Sequence, residues 1–256
     1  MKQAYVRFYA ELNDFLPPVR RRRATAYSFV VSGSVKDMIE ALGVPHTEVD
    51  VILVNGESVD FSCRVQDGDR ISVYPAFESI DVAPVIRLKR QPLGEKCFVL
   101  DTHLGRLAAY LRMLGFDTVY RNDCQDEELA QIASREGRIL LTRDQGLLKR
   151  NLVTRGYCVR ATLPREQVAE IVERFALARL IVPFQRCVHC NALLQPVRKE
   201  LVLHRLLPET RQHFEEFYIC PACERIYWKG SHYRRMSHLI ETIRARSQRQ
   251  QEDNHP

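Results

Sequence analysis

No stretch of this 256-residue chain approaches 18 consecutive apolar positions, so a helical membrane span is excluded. The first residues, MKQAYVRFYAELND, lack the charged, then apolar, then small-residue layout of a signal peptide. A cytoplasmic location is the resulting expectation. There is no Gly-x-x-x-x-Gly-Lys-[Ser/Thr] and no Gly-x-Gly-x-x-Gly, so nucleotide hydrolysis and dinucleotide redox chemistry lose their usual phosphate cradles. The paired acids and late lysine of a phosphorylatable receiver are missing too. No internal repeat is found. What is present is globular: 45% hydrophobic and 27% charged residues, enough apolar side chains to build a core. This length allows roughly two domains.

Charge is unevenly placed. Residues 1–80 carry 9 Lys/Arg against 11 Asp/Glu, and residues 81–256 carry 29 against 21, which makes up the net +6. A surface that binds a polyanion therefore belongs to the later segment.

The eight cysteines divide in two. Cys63, Cys97, Cys124 and Cys158 are scattered among apolar neighbours and read as small core residues. Cys187-Val-His-Cys190 and Cys220-Pro-Ala-Cys223 are paired knuckles, with four thiolates for one tetrahedral ion. Zn²⁺ is the expected metal. With all four positions filled by cysteine no site remains for water, so this ion is structural. His189 sits inside the first knuckle as a spacer. LVLHRLLP and FEEFYIC, between the knuckles, can form hairpin strands or a short helix.

Three units are expected. Residues 1–80 alternate strand, strand, helix, strand, strand, with Ser34 capping the helix and an Asn55-Gly56 turn. With the closing run Gly68-Asp-Arg-Ile-Ser-Val-Tyr-Pro75, this resembles the ubiquitin-like β-grasp fold of the sulfur carriers. Those carriers need a free terminal Gly-Gly. Here Phe77-Glu78-Ser79 stands instead and the chain continues, so a binding or scaffolding module is expected, with Arg20–Arg23 as a solvated turn or a phosphate contact. Residues 81–95 read as a linker. Residues 96–179 run β-α-β-α-β-α-β-α, which predicts a three-layer α/β domain with a mainly parallel sheet. Residues 180–240 form the zinc ribbon, and 241–256 a polar tail.

Asp101, Asp123 and Asp144 each fall at or just past the end of a predicted strand. Ligands of parallel sheets bind at the carboxyl ends of strands, and converging carboxylates favour a cation. Mg²⁺ or Mn²⁺ suits oxygen ligands and can activate water for displacement at phosphorus. Strand-end aspartates also serve as ordinary caps and turn residues. Glu127 and Glu128 are candidate additions to the cluster. Arg106, Arg112 and Arg143 stand near these ends, as does Arg121, and suit a phosphate-rich substrate.

Asp101-Thr-His-Leu-Gly-Arg-Leu-Ala-Ala-Tyr-Leu-Arg-Met-Leu-Gly-Phe-Asp117, Ile139-Leu-Leu-Thr-Arg-Asp144, the two knuckles, and Tyr227-Trp-Lys-Gly-Ser-His232 together resemble the PIN-like ribonuclease domain named after the C-terminus of the mutator-seven exonucleases. Bacterial members often carry a ubiquitin-like domain in front. The first helix of that family usually reads Leu-Ala-Arg-Trp-Leu-Arg; Ala109 and Tyr110 replace the Arg-Trp pair here. The resemblance implies a metal-dependent ribonuclease acting on single-stranded RNA. Asp101 and Asp144 would hold Mg²⁺ or Mn²⁺, and Asp123 would hold it or orient water. Trp228 and Tyr227 are candidates for stacking bases or for packing the ribbon against the sheet, and His232 for a phosphate contact or proton transfer. The alternatives are a non-catalytic RNA-binding protein, and an adaptor meeting a protein partner through the β-grasp module.

Overall fold

In the computed structural model the described residues are 1–75, 96–231, 233, 237, 238, 240–242 and 245. The linker expected at 81–95 and nearly all of the tail lie outside them, as does His232. The chain divides into two compact units that cut across its serial order. One joins Met1–Lys96 to Gln125–Cys158, and the other joins Cys97–Cys124 to Val159–Pro256. Among the described residues no helix is long and apolar enough to cross a membrane.

The first unit begins with β1 (Lys2–Phe8), β2 (Thr25–Phe29), α1 (Val35–Ala41), β3 (Val49–Val54), β4 (Glu57–Val59) and β5 (Arg70–Pro75). Its sheet has the order β2-β1-β5-β3-β4, with β1 and β5 parallel and the other pairs antiparallel. Period-two burial along β1 points Ala4, Val6 and Phe8 inward against Val35, Met38 and Ile39 of α1, which is the expected β-grasp arrangement. Ser34 closes a full capping box on α1: Oγ accepts from the Asp37 amide at 3.1 Å, and Asp37 Oδ2 accepts from the Ser34 amide at 3.2 Å. The Ser34 hydroxyl, donating to Asp37 Oδ2 at 2.6 Å, and then the Ser34 amide hold the Asp37 carboxyl below its ordinary range. Asn55 and Gly56 both have positive φ, which the tight β3–β4 hairpin needs.

The same unit includes a later segment. It holds α3 (Asp126–Glu136), β8 (Ile139–Thr142), α4 (Gln145–Leu148) and β9 (Gly156–Cys158), with β8 and β9 parallel. Side chains from the turn before β3 hold this segment. His46 Nδ1 meets Glu40 Oε1 at 2.6 Å and its Nε2 meets the Val153 carbonyl at 2.9 Å, while Glu48, fully buried, accepts from the Cys158 amide at 2.6 Å. Lys149 donates to the Glu40 carbonyl at 3.0 Å.

In the second unit β6 (Phe98–Leu100) and β7 (Thr118–Tyr120) pair in parallel, joined by α2 (Gly105–Met113). Thus every strand pair of the α/β segment described here is parallel, with helices between, as its alternating pattern predicts. β6 is buried throughout, α2 turns Leu107, Ala108 and Leu111 inward, and α5 (Pro164–Arg174) presents Val168, Ile171 and Val172. Gly115 ends α2 at φ +99°, where a Cβ would stand 2.2 Å from the Val182 carbonyl oxygen, so no other residue fits. The chain then forms an antiparallel sheet of β10 (Gln195–Val197), β11 (Phe217–Ile219) and β12 (Ile226–Trp228), with α6 (Lys199–Val202) and α7 (Pro208–His213) between its first two strands. LVLHRLLP is therefore helical and FEEFYIC supplies a strand. Val202, Leu206 and Phe217 are the buried members of its small core.

Candidate functional site

Asp101 follows directly on β6 and is 6% exposed, unusual for a carboxylate. It caps a short 3-10 turn, accepting from the Thr102 amide at 2.6 Å, and its Oδ2 lies 3.4 Å from His103 Nδ1. The end of β7 pins this turn: the Tyr120 hydroxyl donates to the Thr102 carbonyl at 2.8 Å. Gly105 is required for that approach, because a Cβ there would sit 2.6 Å from the same hydroxyl. Asp123 lies three residues beyond β7, the parallel neighbour of β6. It is exposed and 3.3 Å from Arg121, a solvent-facing pair that contributes little to stability.

Asp144 belongs to the first unit. It follows β8 by two residues, caps α4 by accepting from the Gly146 amide at 2.7 Å, and receives its own backbone position from Thr142, whose hydroxyl accepts the Asp144 amide at 2.9 Å. Arg143 beside it is exposed. Glu127 is bound to Arg150 at 2.6 Å, with Asp126 3.8 Å from the same guanidinium. Arg106 is exposed on α2.

Arg112 is different. It is 5% exposed, and its guanidinium donates to the carbonyls of Thr118 at 2.9 Å, Val188 at 3.2 Å and His189 at 2.7 Å. Burial pushes its pKa down from the usual value, against the pull of Cys187, Cys190 and Asp117. A group so enclosed has no face for the phosphate contact expected of it. It straps the first cysteine knuckle to β7. Asn191, in the left-handed region at φ +72°, makes a second strap, accepting from the Thr118 amide at 3.0 Å and donating to Asp117 at 2.9 Å.

The two knuckles share one geometry. The Cys187 and Cys220 amides donate to the carbonyls of Ala192 and Arg225, and Asn191 and Glu224, both at positive φ, donate back to Cys187 and Cys220. All four sulfurs lie within 4.8 Å of one another, with Cys187–Cys223 at 3.5 Å and Cys190–Cys220 at 3.3 Å. Tetrahedral zinc thiolates at about 2.3 Å would have edges of about 3.8 Å, so the thiols are placed to hold one ion. Among the described residues this is the group of three or more His, Cys, Asp or Glu side chains that meets so closely. Burial works to raise the Cys187 thiol. The Tyr227 hydroxyl at 3.0 Å and the amides of Cys190 and His189 outweigh it and bring the pKa down to about 6, a thiolate ready for metal. Burial pushes Cys190 up to about 12 without an ion. Tyr227 is thereby committed to the knuckle, whereas Trp228 keeps an exposed edge. His189 is exposed.

A ubiquitin-like sheet, parallel α/β elements and a four-cysteine cluster define a mixed α/β protein with a candidate metal centre. Residues 96–240 match the Mut7-C RNAse domain and residues 1–81 the Mut7-C ubiquitin domain. The chain belongs to the Mut7-C RNAse domain family. Neither a curated protein nor a solved structure matches it.

Proposed function

We propose that the chain is a metal-dependent ribonuclease that hydrolyses single-stranded RNA, with Zn²⁺ as a structural ion at Cys187, Cys190, Cys220 and Cys223. The observation that carries this reading is Asp101: a buried carboxylate at the carboxyl end of a parallel strand, in a chain of an RNase-domain family. Asp101 and Asp144, with Asp123 as the third acid, offer the hard oxygen donors that Mg²⁺ or Mn²⁺ prefers. Such an ion, when bound, supplies water activation and charge stabilisation at phosphorus. The chain's own contribution is to hold Asp101 with its oxygen toward the Thr102 amide, and to present Arg106 and Arg143, both exposed, to the RNA backbone.

The ubiquitin-like domain is proposed to meet a protein partner. For the enzyme reading, Asp144→Asn should abolish Mn²⁺-dependent cleavage of single-stranded RNA while RNA affinity is kept. Wild-type protein that leaves every RNA intact with either ion would instead favour an RNA-binding role without catalysis.

A further inference from the structure

A groove of about 1040 Å³ runs along the ribbon, with none of the aspartates of the proposed cleavage chemistry in its lining. Its walls are aromatic. The Phe184 and Tyr233 rings stack at 4.2 Å between centroids, and Tyr218 and Trp228 line the opposite strands. Phe184 is locked in the left-handed region at φ +62° and its amide donates to the Met113 carbonyl at 3.0 Å, so its ring is set by the backbone. Trp228 is backed by Phe214 and Phe217, with centroids 6.5 and 6.4 Å away, yet remains 37% exposed. Gly230 permits that pose, since a Cβ there would stand 2.7 Å from the indole nitrogen.

The side-chain charges in the lining are positive: Arg225 and Lys229 are exposed there, Lys229 paired with Glu216 at 2.7 Å just outside it. Open aromatic faces beside exposed Arg225 and a Lys229 that can exchange Glu216 for phosphate match an unstacked polyanion whose bases can lie on rings while its phosphates meet the basic side chains. A duplex buries its base faces and cannot use them.

We propose that this groove binds a single-stranded RNA segment, with a base stacked on Trp228 and the backbone held by Arg225 and Lys229. The choice of RNA as ligand rests on the ribonuclease reading; the groove's geometry and charge do not. It would hold substrate while the aspartates act on another part of the strand.

Trp228 is the chain's one tryptophan, so its fluorescence reports on this groove alone. The test titrates a short fluorescein-labelled oligouridylate into the zinc-loaded full chain without Mg²⁺ or Mn²⁺, reading anisotropy, and the unlabelled oligomer in parallel, reading tryptophan emission. Saturable quenching that tracks the anisotropy isotherm is expected. Trp228→Ala should weaken binding about five- to a hundredfold, with Trp228→Phe retaining most of the affinity. Arg225→Gln and Lys229→Gln should each lower the slope of log affinity against log salt by about 0.7. Zinc content equal to wild type checks that each variant is folded. Anisotropy that rises without quenching, or quenching by an apolar peptide but not by RNA, overturns the groove assignment. Quenching without Mn²⁺-dependent cleavage keeps the groove and removes the enzyme reading. Asp101-dependent cleavage without quenching does the reverse.

Discussion

Arg112 carries a load that its sequence neighbours do not suggest. In Arg112→Met the hydrocarbon volume is kept, but the carbonyls of Thr118, Val188 and His189, and more weakly that of Tyr120 at 3.5 Å, lose this donor. A buried acceptor left unpaired costs about 1–3 kcal/mol; over these carbonyls, partly offset because the guanidinium no longer has to be desolvated, the expected cost is about 3–5 kcal/mol. For a chain of this size each kcal/mol moves Tm by about 2–4 °C, so a fall of about 6–20 °C is expected. Arg112→Lys should recover less than half, because an ammonium cannot fork between β7 and the knuckle. Arg106→Met on the exposed face of the same helix should change stability by no more than about 0.5 kcal/mol while weakening RNA binding. The assay is thermal unfolding by circular dichroism, with zinc content measured on each sample. A Tm within about 2 °C of wild type for Arg112→Met would refute the strap.

Metal analysis should find one zinc per chain, and Cys220→Ser should lower that content and unfold the ribbon, whose small core has Val202, Leu206 and Phe217 as buried members among the described residues. His46 is held below its ordinary pKa of 6.5, chiefly by burial and then by Lys36. The unfolded chain therefore takes up the proton first, and stability that is complete above pH 6.5 should decline as pH falls through that value toward the folded pKa; His46→Gln should flatten this part of a denaturant-midpoint profile against pH. Ser34→Ala should cost about 1 kcal/mol through loss of the capping box, read by urea unfolding. Gly105→Ala should displace Tyr120 from the Thr102 carbonyl and reduce cleavage with zinc content unchanged.

Local chemistry in the sequence located much of this fold. The cysteine spacing found the four-thiol cluster because a knuckle is a short-range device. Ser34 and Asn55-Gly56 marked a helix start and a hairpin because each answers a backbone requirement within a few residues. Asp101 was found because an apolar run ends at it. Spacing could not reveal the long-range polar ties. An arginine at a helical i, i+6 step from Arg106 reads as surface, and only packing shows that Arg112 points into carbonyls 76 and 77 residues away. Glu48 likewise reads as a loop acid, though it is buried on the Cys158 amide. Removing residues 1–80 to test the ubiquitin-like domain would strip His46 and Glu48 from Val153 and Cys158, so surface substitutions on the intact chain are the cleaner probe.

The central claim is tested most directly by single-turnover cleavage of a labelled single-stranded RNA by zinc-loaded wild type and Asp101→Asn, across a Mn²⁺ titration. Wild-type cleavage that saturates with Mn²⁺, and a variant that binds the RNA but leaves it uncut at every concentration, is the predicted result. Cleavage by Asp101→Asn at the wild-type rate would contradict it.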